Sequence, residues 1–366
     1  MPQCLYLLPP MQNLVNDATG KKNYAFIDAI RGVAMMSIVA EHSVAFNVTD
    51  IPPGTPKYWV YISLIQLTKF GTVAFFLLAG FLIGEKFADY SPSQYLKRRI
   101  STTFGPWLFW SLVYVLGAII NLRIKERIYH DGEFNLQNII EQFRITYLYT
   151  SYWFIINFLI SITILLILRK HLYSLYLGGT LLLFTLFYAV NIHYEWIDPR
   201  HTTAILGFVF FLWLGAQLRK HWDNIEKQAA KVPYALLTSL VILTFGASLY
   251  EMTQLRGHSI DPFNTLRISN ILFSLVFFAL LLRIKNYKFI NSLKPRQTTY
   301  GIYLIHYILL VYLFREFLMH LGFDINNLPV ALFVLAKAVI FVALYALTWA
   351  IVTLIGKSKA KKLIGV

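Results

Sequence analysis

Apolar runs of about 20 residues, parted by short polar clusters, recur along almost the whole chain. Each run is long enough to cross roughly 30 Å of hydrocarbon as a helix rising about 1.5 Å per residue. Barrel strands are short and alternate polar with apolar residues, and these runs do not alternate. The pattern predicts ten helices, near 24–46, 59–84, 104–122, 150–168, 172–191, 202–218, 232–250, 265–283, 298–319 and 328–356. The expected fold is therefore all-α: a polytopic membrane protein of about 10 transmembrane helices, with no internal repeat. Residues 1–23 read as an N-terminal cytoplasmic tail, 24–356 as the membrane domain and 357–366 as a basic cytoplasmic C-terminal tail. The interval 123–149 mixes Arg127, Asp131, Glu133 and Glu141 with apolar residues. It is expected to carry a short interfacial helix, or to cover a polar site.

Composition agrees with the pattern. The chain is 57% hydrophobic and 14% charged, with a mean hydropathy of +0.56. A soluble domain needs more polar surface than that. The net charge of +15 does not point to nucleic acid, because Lys and Arg sit in short clusters between apolar runs. Placing the N-terminus inside puts about two basic residues on the cytoplasmic side for each one opposite, which predicts both termini inside. A plasma membrane location follows, the inner membrane if the source is bacterial. Cys4 stands alone, so no internal disulfide and no thiolate metal cluster is expected. The nine histidines show no ligand-spaced pair, and no metal is expected.

Several residues do not belong in hydrocarbon. The first helix holds Asp28, Arg31, Glu41 and His42; the second holds Lys69, the ninth His306 and the tenth Lys337. A charge at mid-bilayer costs about 2.5–3.5 kcal/mol on insertion scales, so each needs a reason. Arg31 and His42 are eleven positions apart, and eleven helical steps of about 100° end roughly 20° past three full turns. The two share one helix face, about 16–17 Å apart along the axis. Asp28 lies one turn before Arg31 and can pair with it. Glu41 can act on His42 if they approach, although adjacent helical positions diverge by about 100°. Ion pairs that merely pack, and a histidine that is merely buried, are the alternatives.

With those residues in place, the sequence resembles the acyltransferase 3 family of membrane acyltransferases. Phe26, Asp28, Arg31, Gly32 and then His42 look like the family's opening motif, with ten residues between Arg and His. Gly71, Phe75, Phe76, Gly80, Phe81, Leu82 and Ile83 are similar to its second-helix segment. Lys97, Arg98 and Arg99, followed by Pro106 and Trp107, resemble its basic loop. Trp153-Phe154-Ile155, Phe211 to Gly215, and Tyr300, Gly301 and His306 match later segments, so the likeness spans about 24–355. Val73, Ala79, Thr102 and Glu41 depart from the usual residues.

The resemblance implies transfer of an acyl group from cytoplasmic acyl-CoA, acetyl-CoA first, to a hydroxyl of a carbohydrate or lipid-linked glycan. His42 is then the general base or a transient acyl carrier. Arg31 positions the donor, with Arg98 and Arg99 offering cations to its phosphates. Asp28, Glu41, Lys69, Trp153, Tyr300 and His306 complete the expected substrate-binding set. Partners would be membrane lipids and the glycan acceptor; monomer and homo-oligomer fit equally. The alternative is a transporter or flippase for a glycan or other anionic substrate, which should show inverted repeats or matched broken helices.

Overall fold

The computed structural model describes residues 15–16, 22–23, 25–49, 51–86, 91–130, 132–285 and 288–366. Cys4, Asp131 and most of the expected tail 1–23 lie outside the described residues. Val15–Asn16 pairs antiparallel with Lys22–Asn23; among the described residues everything else regular is helical.

Helix α1 spans Ala25–Ala45. Thr55 caps the next helix through its hydroxyl, with Pro56 pre-set at the first position. That helix, α2 (Pro56–Thr68), breaks at Lys69 and Phe70 before α3 (Gly71–Lys86). A Ser91/Gln94 capping box starts α4 (Pro92–Arg99). It passes through a π-helical stretch, Ile100–Phe104, into α5 (Gly105–Tyr129). Helices α6 (Leu136–Tyr149) and α7 (Trp153–Ile167) follow, bent by 59°. Then come α8 (Leu175–Tyr194), α9 (Val209–Lys220), α10 (Trp222–Lys231), α11 (Tyr234–Leu255), α12 (Ile268–Ile284) and α13 (Lys288–Ser292). Helix α14 (Pro295–Ile308) runs through a second π stretch, Leu309–Phe314, into α15 (Arg315–His320). The last helix is α16 (Val330–Gly356).

Each segment expected to be helical is helical over most of its described length, the second as two helices parted at Lys69 and Phe70, and a helix, α6, also occupies the interval 123–149. Among the described residues six helices are long and apolar enough to cross a membrane, or seven if the bent α6–α7 pair is one span. The chain is thus a helical protein with several apolar crossings. Three of the ten expected spans fall short even so, and α9 is one of them, with 12 residues. Helix α1 carries three charges, Asp28, Arg31 and Glu41, and α12 has 17 residues.

Helices α3 and α9 approach closely because small residues face each other. A methyl group added at Gly80 would lie 1.9 Å from the Leu212 carbonyl oxygen, and one at Gly215 would lie 2.1 Å from that of Leu77. Backbone cannot yield as a side chain can, so this contact admits only glycine. Gly80→Val is expected to cost about 3 kcal/mol or more, or to prevent folding. Gly246→Ala, where no atom lies within 4 Å, should be neutral or slightly stabilising. Thermal unfolding of the two variants in detergent checks the difference.

The basic segment after α16 is docked. Ile364 is buried, and the Trp110 indole donates to the Leu363 carbonyl at 2.8 Å. Gly365, at φ +74°, fits against the Thr102 carbonyl and the Tyr300 ring.

Candidate active site

Helices α1 and α14 lie side by side and run in the same direction. Gly32 permits this. A methyl there would fall 2.3 Å from Ile290 and 3.0 Å from Pro295, at the start of α14. The two helices then match at both ends. At one end Arg31 is within electrostatic reach of Arg296 and of Arg99. At the other His42 is hydrogen-bonded to His306. Eleven residues of α1 separate the ends, about 16 Å of helix.

The histidine end has a defined proton arrangement. His306 is fully buried, and its Nδ1 lies 2.8 Å from the Ile302 carbonyl oxygen. A carbonyl only accepts, so His306 Nδ1 carries the hydrogen and its Nε2 carries the lone pair. His42 Nδ1 is 2.8 Å from that Nε2 and must donate to it. The lone pair of neutral His42 is therefore on Nε2, away from His306. The two rings lie within 7° of parallel, and Tyr307 meets His42 edge-on at 5.2 Å. One backbone carbonyl thus fixes two tautomers in series.

Glu41 does not reach His42. It forms an ion pair with Lys69 at 2.6 Å. Lys69 caps the break between α2 and α3 and lies within electrostatic reach of His42. Lys337 has a different task. Its ammonium donates to the carbonyls of Phe46 and, at 3.4 Å, Ser43. These are orphan carbonyls at the end of α1, where a cation also suits the helix dipole. Replacing Lys337 by Met removes those bonds but also removes the cost of burying a charge, about 2.5–3.5 kcal/mol. Stability of Lys337→Met should therefore change by less than about 1 kcal/mol. Turnover should fall about tenfold, because His42 sits in the turn that loses its anchor. Melting temperature and kcat measured on one preparation check this.

At the arginine end Arg31 pairs with Asp28 at 2.7 Å, both largely buried. Arg99 donates from Nε to the Tyr95 hydroxyl at 3.0 Å, and its guanidinium lies over that ring. Arg98 is exposed, and its carbonyl accepts from Ser101 and Thr102. Tyr300 donates to the Thr103 carbonyl at 2.5 Å, closing the π stretch after Arg99 against α14. The second π stretch begins three residues after His306. Such stretches leave carbonyls short of helical partners and recur at functional sites.

Trp153 is buried, with its ring edge-to-face on His201 at 5.2 Å. His201 Nδ1 lies 2.6 Å from Asp261 Oδ2. Burial works against ionisation of Asp261, but attraction to His201 and its hydrogen bond outweigh this and hold the carboxyl at about 2. His201 is within electrostatic reach of His42, and Asp261 of Lys69.

Arg296, His201 and Asp261 were not among the residues singled out in the sequence. Arg296 reads there as one more loop cation beside Lys294. Its spacing to His306, nine residues between, nearly repeats that of Arg31 to His42 and was a usable signal. His201 and Asp261 sit in loops 60 positions apart, with no pattern to join them. Among the described residues no group of three or more His, Cys, Asp or Glu could hold a metal ion.

A bundle of apolar helices with a buried imidazole pair at one end of two neighbours and guanidinium groups at the other describes a multi-pass membrane protein with polar groups held inside it. The chain matches a family model described as an acyltransferase domain over residues 24–351 and belongs to that acyltransferase 3 family. No curated protein and no solved structure matches it. It is a membrane acyltransferase.

Proposed function

We propose that the protein moves an acyl group, acetyl first, from cytoplasmic acyl-CoA to a hydroxyl of a cell-surface or lipid-linked carbohydrate. What carries the reading is the pairing of Arg31, Arg99 and Arg296 at one end of α1 and α14 with His42 and His306 at the other. Coenzyme A has the same polarity: a polyanionic head and, at the far end of a long arm, a thioester. Three guanidiniums suit the phosphates by charge and by directed donors. Asp28 holds Arg31 in place and leaves its other donors for a ligand. The arm then lies along α1, and the thioester carbonyl comes to His42 Nε2.

At that nitrogen two routes balance. The lone pair takes the proton of the attacking hydroxyl while oxygen bonds the acyl carbon and the C–S bond breaks. Or Nε2 itself bonds the acyl carbon, sulfur leaves as thiolate, and the hydroxyl displaces the imidazole in a second step. In both, positive charge develops on His42, and His306 Nε2 accepts a stronger hydrogen bond from Nδ1. In this reading both termini are cytoplasmic and the ten helices form the membrane domain.

Purified protein in detergent, supplied with radiolabelled acetyl-CoA and polysaccharide from the producing cells, tests the proposal. Free CoA thiol and polysaccharide ester should appear together. Label crossing a vesicle membrane with no ester formed would instead mark a transporter.

A further inference from the structure

A third imidazole with its tautomer fixed, His201, lies within electrostatic reach of His42. His201 Nδ1 lies 2.6 Å from Asp261 Oδ2, and the His201 backbone N–H donates to the same oxygen at 3.3 Å. The Asn264 amide adds a third donor to Oδ2 at 3.0 Å and also holds the Pro199 carbonyl at 2.7 Å. The loop before α9 is thereby clamped to the loop before α12, and the imidazole plane is set. Trp153 fixes it from the side. A carboxylate only accepts, so His201 donates from Nδ1 and carries its lone pair on Nε2. His201 and Asp261 keep 22% and 16% of their side-chain surface open, so the pair is reachable. The Oγ1 of the next residue, Thr202, is buried without a hydrogen-bond partner. A buried hydroxyl left unpaired is costly, and a polyol hydroxyl would engage it.

We propose that His201, oriented by Asp261, is the base that activates the acceptor hydroxyl, and that these residues with Thr202 form the acceptor subsite. The proposal rests on the acyl transfer described above and assigns its second half. His42 Nε2 takes the acyl group from sulfur, and CoA leaves as thiolate. The acceptor oxygen then bonds the acyl carbon, its proton passes to His201 Nε2, and the C–N bond to His42 breaks. His201 returns the proton to solvent, from which the thiolate takes one. Each imidazole has one partner on Nδ1, an imidazole for His42 and a carboxylate for His201. The carboxylate accepts from His201 Nδ1 and so keeps the free lone pair on Nε2, which is the requirement for a base. Asp261 acts through His201 and is a positioning residue.

Hydroxylamine discriminates this role, because it is nucleophilic enough to be acylated without a base. Wild type, His201→Ala, Asp261→Asn and His42→Ala would be compared with labelled acetyl-CoA and either hydroxylamine or extracted polysaccharide. For His201→Ala, transfer to polysaccharide should fall at least about 100-fold, while transfer to hydroxylamine stays within about threefold of wild type. Asp261→Asn should show the same split to a lesser degree, and His42→Ala should lose both. Equal loss of both activities in His201→Ala and Asp261→Asn would overturn the proposal, as would undiminished transfer to polysaccharide. Transfer by wild type to neither acceptor would instead count against the acyltransferase reading itself.

Discussion

His42→Ala is expected to lower transfer at least about a thousandfold while leaving acetyl-CoA affinity within about twofold. A base or nucleophile at the reacting carbon is worth about 10²–10⁴ in rate, and donor affinity resides at the other end of α1. Equilibrium binding of labelled acetyl-CoA, measured beside kcat, separates the two. The same logic ranks the variants of His306. His306→Leu leaves His42 Nδ1–H without its acceptor, so the ring can turn and present the wrong nitrogen. A loss of about 100-fold in kcat is expected. His306→Gln keeps a carbonyl that can accept from His42 and should recover part of that loss. Equal inactivity of the two variants in folded protein would mean that the imidazole pair matters only for packing.

Arg31→Ala should raise the donor KM about 100-fold and change kcat much less. A hydrogen bond to a charged group contributes about 1.5–3 kcal/mol, or roughly 10- to 150-fold in affinity. The substitution also leaves the Asp28 carboxylate unpaired near the phosphates, which repels them further. Arg31→Lys should restore only part of the loss, since an ammonium cannot reproduce the guanidinium fork. Arg296→Ala should show a KM effect of about tenfold. The control is the donor itself. S-acetylpantetheine lacks the nucleotide phosphates, so its KM should be nearly indifferent to all three substitutions. If it responded as acetyl-CoA does, Arg31 and Arg296 would be holding the protein together rather than holding phosphate.

The helical fold was legible because apolar periodicity and length are local properties of the chain. So was the shared face of Arg31 and His42, which follows from about 100° per residue within one unbroken helix. What was not legible is who pairs with whom. His306 lies 264 positions from His42, and nothing in either neighbourhood announces the contact. Glu41 sits next to His42 in sequence yet turns to Lys69. Lys337 reads in the sequence only as a costly charge in the tenth helix; it caps α1. Arg267, near the start of the expected helix 265–283, is fully buried, bonded to Gln66, Ser248 and Asn264. In each case tertiary packing chooses the partner of a polar group, because an unpaired one is too costly to bury. The two π stretches were also invisible, since one extra residue in a turn leaves hydrophobic periodicity almost unchanged.

The most direct measurement is a structure of the protein with a non-hydrolysable thioether analogue of acetyl-CoA. The expected result has the nucleotide phosphates among Arg31, Arg99 and Arg296, and the carbon that replaces the thioester carbonyl about 3–3.5 Å from His42 Nε2. An analogue whose phosphates avoid those arginines, or whose acyl end lies remote from His42, would contradict the account.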